Sequence, residues 1–436
     1  MLAAIIIAAF LIRIYYISYT PTWVRQHDVI GFGTGLGQAA FIEYFYEKLR
    51  LLDFDPRKIW GFFQPPLHHM LAGLWLRLMV MAGRAVGWSL DTCREKVQVL
   101  TLIYSMVTSV YGMRCLKRQG VTGGAFVAAS ALIALHPCLI QMSGSINNDM
   151  LCIMLQVMGM YYFLGWISAQ HLRELLICGL CLGLSMMAKL SGIMLAFPMG
   201  VIMLVFLIRK ARSKGLTDAL ASYMPGYLLF ALISIPLGIW SPVRNYLKFS
   251  VPLMYTPKVG EPIEGVTLFQ RFFYAGNRIK PFICMAANGD PYDEFNIPLA
   301  MLKTSLFGEA DFSGVSRWSD TFGWILLFSG AFCALAAAAA MVYLALKKIM
   351  PLQTVFMTVY VLFSVAFLIR LSLVIPNFSS QDFRYIAHII VPAAVMSGMA
   401  VQRCKAVIKT AFYALAAVFC SSSLLTYFLA GRVHWE

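Results

Sequence analysis

The sequence predicts an all-α polytopic membrane protein, a single-domain bundle of about 11 transmembrane helices over residues 1–436. Charged residues make up only 13% of the chain and the mean hydropathy is +0.73, whereas soluble domains carry about 25% charged residues. So few charges cannot cover a water-facing surface. Apolar runs of about 20 residues also recur from end to end, and each is long enough to cross a bilayer.

Eleven apolar runs are predicted to span the membrane. We expect the first to stay in place as a signal anchor, because no small-residue cleavage site follows it. A twelfth run, 66–83, contains Pro66, His68, His69 and Arg77, which favours an interfacial helix over a lipid-exposed span. The predicted spans lie near residues 1–19, 97–116, 122–141, 150–168, 174–189, 193–208, 223–241, 321–346, 351–370, 384–401 and 407–429.

The loop charges predict the orientation. With strict alternation of spans, every strong basic cluster falls on one side, which the positive-inside rule places in the cytoplasm. The net charge of +15 is mostly this signature, so no nucleic-acid partner is expected. The N-terminus is then cytoplasmic, and two long outer loops, 20–96 and 242–320, precede the C-terminal helices of 321–436. The four clusters are Arg114/Lys117/Arg118, Arg209/Lys210/Arg212/Lys214, Lys347/Lys348 and Arg403/Lys405/Lys409.

Two carboxylates stand where predicted outer loops meet the membrane. Asp28, in Gln26-His27-Asp28, could act as a general base or bind a cation, or it could be an ordinary solvated carboxylate. Asp149 would sit in the first turn of a helix capped by Asn147 or Asn148, where the helix dipole favours it. That capping role explains Asp149 structurally. The functional alternative is a second carboxylate facing the same cavity as Asp28.

The segment Gln64-Pro65-Pro66-Leu67-His68-His69 places two histidines after a double proline. A proline can open a helix at its first turn and so restricts the direction of both imidazoles. The histidines could bind phosphate, hold a metal or shuttle protons. They could equally be amphipathic residues resting at the membrane interface.

Three cations lie at the predicted outer ends of helices: Lys189, Arg244 and Arg384. The positive-inside rule disfavours cations at this boundary, and a bound phosphate would compensate them through charge-assisted hydrogen bonds. The structural alternative is that the cations snorkel to lipid headgroups. Three such cations on the same predicted side favour the phosphate interpretation over this alternative.

Nucleotide-binding and hydrolase signatures are missing from the sequence. There is no P-loop, no G-x-G-x-x-G between a strand and a helix, no H-E-x-x-H and no G-x-S-x-G. The energy for a transfer reaction would therefore have to arrive in an already activated substrate.

Taken in order, these segments resemble the GT-C class of membrane glycosyltransferases, close to the protein O-mannosyltransferase and lipid A aminoarabinose transferase group. The order and topology together carry the resemblance. Gln64 departs from relatives that have histidine or a Glu-Lys pair before the first proline, and His27 stands where many have a second acid. The matching segments are His27-Asp28, Phe62–His69, His136-Pro137, Ser145–Asp149, Lys189–Gly192, Arg244-Asn245 and Asp382–Tyr385.

The resemblance implies a GT-C-like bundle with interfacial helices in the first outer loop, and an inverting transferase. Its partners would be membrane lipids, a polyprenyl-phosphate-linked sugar as donor, and a protein, lipid or glycan acceptor. Asp28 would be the general base and Asp149 the second acidic residue of the catalytic site. Donor-phosphate contacts are expected from Lys189, Arg244 and Arg384, and substrate contacts from His27, His68, His69, Asn148 and Tyr385.

The resemblance leaves the cofactor open. A divalent metal ion held by Asp28, Asp149 and His68 or His69 is compatible with the residue types. We expect an integral protein of a bacterial plasma membrane with an extracytoplasmic active site.

Two other classes fit a polytopic chain. A secondary transporter would show internal repeats and broken helices at the midplane, and no repeat relates the two halves of this sequence. A lipid-linked glycan ligase or polymerase would share the donor chemistry but act on a larger substrate.

Overall fold

The computed structural model describes residues 1–24, 29–253, 255–257, 265–283, 294–313, 315, 317–349, 351–375 and 377–431. Helices account for all the regular secondary structure of these residues, as the sequence predicts. The α-helices are α1 (Leu2–Tyr19), α2 (Gly37–Lys48), α3 (Leu67–Val86), α4 (Leu90–Glu95), α5 (Val97–Arg118), α6 (Gly123–Ala134), α7 (Pro137–Gln141), α8 (Asp149–Ala169), α9 (Leu172–Ala188), α10 (Ala196–Lys214), α11 (Leu216–Phe249), α12 (Leu268–Phe273), α13 (Ile297–Phe307), α14 (Arg317–Leu346), α15 (Leu352–Val374), α16 (Ile390–Val401) and α17 (Ala406–Ala430). Short 3-10 helices cover Thr22–Val24, Pro56–Lys58, Leu190–Leu195, Gly276–Arg278, Phe378–Gln381 and Phe383–Ile389.

Nine helical segments of the described residues are long and apolar enough to cross a membrane. They match nine of the predicted spans, and α3 is not among them; its interfacial position stays a prediction. The nine segments are Leu2–Tyr19, Leu90–Arg118, Asp149–Ala169, Leu190–Lys214, Leu216–Phe249, Arg317–Leu346, Leu352–Val374, Ser379–Val401 and Ala406–Ala430.

The other two predicted spans form shorter helices. Helix α9 has 17 residues, about 26 Å at 1.5 Å per residue, which is slightly less than a bilayer core of about 30 Å. The predicted span 122–141 is divided into α6 and α7. Pro137 lacks a backbone N–H and cannot continue α6, and the ring of His136 instead accepts a hydrogen bond from Cys138 N at 3.3 Å.

Arg13 stabilises the break between α6 and α7 from inside the bundle. It is fully buried in the middle of α1. Its guanidinium donates to the Ala134 carbonyl at 2.8 Å and to Ser105 Oγ at 2.9 Å. Ala134 ends α6, so the cation lies at the negative end of that helix dipole. Arg13 is the one charged residue of α1, and none of the motifs in the sequence includes it.

Helix α9 packs between α8 and α11. Small residues permit the close approach, since a Cβ on Gly183 would lie 2.8 Å from Leu237 of α11. Helices α8 and α9 are consecutive and antiparallel, so the start of α8 and the end of α9 come to the same end of the bundle. This arrangement places Asp149 beside Lys189.

Candidate active site

Asp149 and Lys189 form a buried ion pair where α8 begins and α9 ends. Their side chains are only 3% and 12% exposed, so the carboxylate compensates a lysine that water barely reaches. Lys189 Nζ also lies 4.7 Å from the ring centroid of Tyr385, within cation–π range. The structure therefore brings together three of the predicted site residues, which are separated by up to 236 positions in sequence (385 minus 149).

Arg384 makes a cation–π contact with the same aromatic ring, that of Tyr385. Its guanidinium carbon is 5.3 Å from the Tyr385 centroid, and its nitrogens lie 3.3 Å from Asp382 and 3.6 Å from Glu309. The Asp382 carboxylate also accepts from Arg384 N at 2.8 Å and so caps the 3-10 helix Phe383–Ile389. Glu309 belongs to the second long loop and was not identified from the sequence, since no motif surrounds it.

The turn before α8 differs in detail from the sequence prediction. Asn147 Oδ1 accepts from Asp149 N at 3.2 Å, whereas Asn148 makes no side-chain cap. Asn148 Nδ2 instead donates to the carbonyl of Ala188 at 2.8 Å and to Gln64 Oε1 at 3.3 Å. Asn148 thus ties the start of α8 to the end of α9 and to the Gln64-Pro65-Pro66 segment.

His68 and His69 are buried in the first turns of α3. Hydrogen bonds join His68 Nε2 to the Ile146 carbonyl at 2.8 Å and His69 Nε2 to Gln38 Oε1 at 2.6 Å. Burial lowers the pKa of His68 to about 4, against the smaller opposing effects of the Ile146 carbonyl and Asp149, and it lowers the pKa of His69 well below its usual value. Both rings are therefore neutral near pH 7 and supply no positive charge to a phosphate.

Arg244 lies near the end of α11, apart from the other two cations. Its partners are the carbonyl of Leu52, the side chain of Asn245 at 3.1 Å and the Phe249 ring. Within the described part of the chain, the guanidinium contacts neither Lys189 nor Arg384. The neighbouring Asn245 lines a small open pocket, whose walls also include Phe63, Pro65, Leu190, Pro242 and Tyr255.

Two of the predicted site residues, His27 and Asp28, lie outside the described residues. A metal site at Asp28, Asp149 and a histidine stays a prediction for that reason. Among the residues that the structure does describe, no group of three histidine, cysteine or acidic side chains is placed to hold a metal ion.

Comparisons with known proteins bear on the fold. The profile of the dolichyl-phosphate-mannose-protein mannosyltransferase family matches residues 73–240. No curated protein matches the chain with significant sequence similarity.

Solved structures resemble the chain over almost its whole length. ArnT from Cupriavidus metallidurans, in the apo state and bound to undecaprenyl phosphate, matches with a TM-score of 0.55 at 12% identity, over 99% of this chain and 76% of ArnT. The oligosaccharyltransferase of Archaeoglobus fulgidus, tethered to an acceptor peptide, matches with a TM-score of 0.51 at 13% identity, over 99% of this chain and 55% of that one.

The fold is that of the GT-C class of membrane glycosyltransferases, as the sequence resemblance predicted. Within that class, the chain is similar to the dolichyl-phosphate-mannose-protein mannosyltransferase family and to ArnT. It is an integral membrane protein.

Proposed function

We propose that the protein transfers a sugar from a polyprenyl-phosphate carrier to an acceptor hydroxyl at the predicted extracytoplasmic face. The observation that carries this proposal is the pair of buried cations, Lys189 and Arg384, on one Tyr385 ring inside a GT-C fold. Both cations can donate charge-assisted hydrogen bonds to a phosphate, which would share or replace part of their contacts with Asp149, Asp382 and Glu309. ArnT, which shares the fold, binds undecaprenyl phosphate.

Carboxylates hold these two cations in place, and the number of N–H donors on each cation exceeds the number that one carboxylate needs. An ammonium group has three N–H donors and a guanidinium has five. Lys189 can therefore keep Asp149 while it donates to a phosphate oxygen. Arg384 faces both Asp382 and Glu309, and we propose that phosphate replaces the longer of these contacts, that with Glu309.

The reaction follows from the donor chemistry. The bond between the anomeric carbon and the phosphate oxygen breaks with both electrons going to the phosphate, and Lys189 and Arg384 stabilise the charge that develops there. The acceptor oxygen forms the new bond from the opposite face, which inverts the anomeric carbon. Asp28, assigned from the sequence resemblance, accepts the proton of the acceptor hydroxyl.

The lipid tail requires an apolar path next to the phosphate. We propose that this path begins at the small pocket beside Leu190, because Leu190 directly follows Lys189 and most of the pocket walls are apolar. Arg244 directly precedes Asn245 of the pocket wall, and we propose that it contacts the donor there as a third cation.

The general base is tested with Asp28→Asn. Transfer from a synthetic polyprenyl-phosphate hexose should fall by at least about 100-fold, the lower limit typical of a lost acid–base group, while binding of that donor is kept. Asn is nearly isosteric with Asp, so protein yield and thermal stability serve as the folding control. A variant with normal turnover would show that another group takes the proton.

The phosphate site is tested with Lys189→Ala and Arg384→Ala. Each should weaken binding of sugar-free polyprenyl phosphate by about 10-fold or more, since a hydrogen bond to a charged group contributes about 1.5–3 kcal/mol. Lys214→Ala is the matched control, because Lys214 is exposed in the last turn of α10, in a predicted cytoplasmic cluster. Unchanged affinity in both site variants would remove these cations from the donor site.

The sugar and the acceptor need a separate measurement. Mass spectrometry of cell-envelope glycans from cells with and without the gene would identify the transferred group and its attachment point. A missing glycan that is restored by the wild-type gene but not by the Asp28→Asn gene would link that product to this site.

A further inference from the structure

Helix α12, in the second long loop, exposes an apolar face. Leu268, Phe269 and Phe273 are 67%, 67% and 77% exposed, and Tyr274 directly after the helix is 50% exposed. A capping box between Thr267 and Gln270 stabilises the start of this short helix. Aromatic side chains this exposed are unfavourable in water and favour an apolar partner.

The opposite face of α12 fixes its position relative to the bundle. Arg271 is only 4% exposed and donates to the carbonyl of Ser372 at 2.9 Å and to Gln381 Oε1 at 3.5 Å. Ser372 is in the last turn of α15, one of the helices long and apolar enough to cross a membrane. Helix α12 therefore lies level with the end of a membrane-spanning helix.

The surface continues from α12 onto the lipid-facing side of α15. Leu373 and Val374, which follow Ser372, are 39% and 63% exposed. Residues 265–283 contain the cations Arg271, Arg278 and Lys280 and no acidic residue. Arg271 is taken up by its contacts with the bundle, and Glu261 and Glu264 precede this stretch in the sequence, so the exposed Lys280 and the half-buried Arg278 are the cations that could meet headgroups. An exposed apolar face at the end of a span, followed by these two cations, is suited to the boundary between acyl chains and phosphate headgroups.

We propose that α12 binds the adjacent lipid leaflet, with Phe269 and Phe273 inserted between lipid headgroups. The contact has a consequence for the candidate active site. Arg271 holds Gln381, and Gln381 directly precedes Asp382, which caps the segment that carries Arg384 and Tyr385. Lipid binding by α12 thus stabilises the position of that segment, and the proposal does not depend on which reaction the site performs.

The test measures the depth of a reporter in the full-length protein in lipid nanodiscs. Phe273→Trp and, independently, Phe269→Trp each add one fluorophore to the nine native tryptophans, whose emission is subtracted with the parent protein. The lipids carry bromine either near the headgroup or deep in the acyl chain. A side chain buried about 5–10 Å below the headgroup boundary should lose about twice as much emission with the shallow bromine as with the deep one.

Two matched variants calibrate the measurement. Leu335→Trp places the reporter at a 65% exposed position in the middle of α14, and it should be quenched more strongly by the deep bromine. Phe312→Trp places it at a 1% exposed position, and it should be quenched by neither.

Three results would overturn the proposal. Emission from both α12 variants that is insensitive to bromolipids and quenched by acrylamide would place the helix in water. Emission insensitive to both reagents would place it against protein, such as a second copy of the chain. Quenching like that of Leu335→Trp would place it inside the bilayer core rather than at the boundary.

Discussion

We predict that removing one charge of the buried Asp149–Lys189 pair strongly lowers the free energy of unfolding. Lys189→Gln removes the cation and leaves a carboxylate whose side chain is 3% exposed. Breaking a buried ion pair on one side costs about 3–5 kcal/mol, because the remaining charge is left without compensation. Lys189→Gln also removes the cation–π contact with Tyr385, a further loss of about 0.5–2 kcal/mol.

The double variant measures the interaction between Asp149 and Lys189 apart from the contacts that each makes with other residues. Asp149→Asn/Lys189→Gln has no charge left to bury, so it should lose less free energy of unfolding than the two single variants combined. For groups in direct contact we expect this coupling to be about 1–3 kcal/mol. The assay is denaturant unfolding in detergent micelles, repeated for the parent, both single variants and the double variant.

The ion pair between Arg118 and Glu174 at the other end of α9 is the matched control. Its side chains are 23% and 19% exposed, so water screens it more and its coupling should be below about 1 kcal/mol. Losses from Asp149→Asn and Lys189→Gln that simply add, or a coupling no larger than in the control pair, would refute the view that these charges compensate each other.

Two further predictions concern buried polar groups outside the ion pair. Arg13→Met should lower the free energy of unfolding by about 1.5–3 kcal/mol, because it leaves the Ala134 carbonyl without its charged donor, and a variant as stable as the parent would contradict this. The pKa of His68 is about 4 in the folded protein against a usual 6.5, so below pH 6.5 the unfolded chain binds a proton that the folded protein does not. The contribution of neutral His68 to the free energy of unfolding is therefore complete above pH 6.5 and is lost as the pH falls toward 4. The loss of unfolding free energy, measured between pH 7 and pH 4.5, should approach about 3 kcal/mol. The loss should be smaller in His68→Gln. An equal loss in that variant would assign the acid sensitivity to other groups.

Local chemistry made part of the candidate site predictable. Lys189 and Arg384 stand out because cations are rare at that predicted boundary, and Asp149 stands out because it opens an apolar helix. These signals depend only on a few neighbouring residues and on the solvent around them. The same reasoning leaves α3 out of the predicted membrane spans, since its histidines and arginines reduce its hydropathy.

Contacts between distant segments could not be predicted in this way. Glu309 contacts Arg384 from another loop, and Arg13 supports a helix break more than 120 positions away. Glu309 has no local pattern that distinguishes it from an ordinary loop carboxylate. Arg13 is unusual as the single charge in an apolar span, but its neighbours in sequence do not reveal which helix it contacts. The protonation states of His68 and His69 could not be predicted either, because whether a histidine is neutral or charged depends on how deeply the surrounding helices bury it.

The sequence by itself determined that this is a membrane-embedded helical bundle, which residues form most of its spans, and which side chains have unusual positions for their charge. The physical reason is that lipid requires each span to satisfy its own backbone hydrogen bonds and to expose apolar side chains, and both requirements are local. Only the tertiary structure decided that Asp149 neutralises Lys189, that Lys189 and Arg384 share Tyr385, and that Arg244 lies apart beside a pocket. Those outcomes depend on how α8, α9 and the segment before α16 pack, and that packing depends on shape complementarity among many residues together.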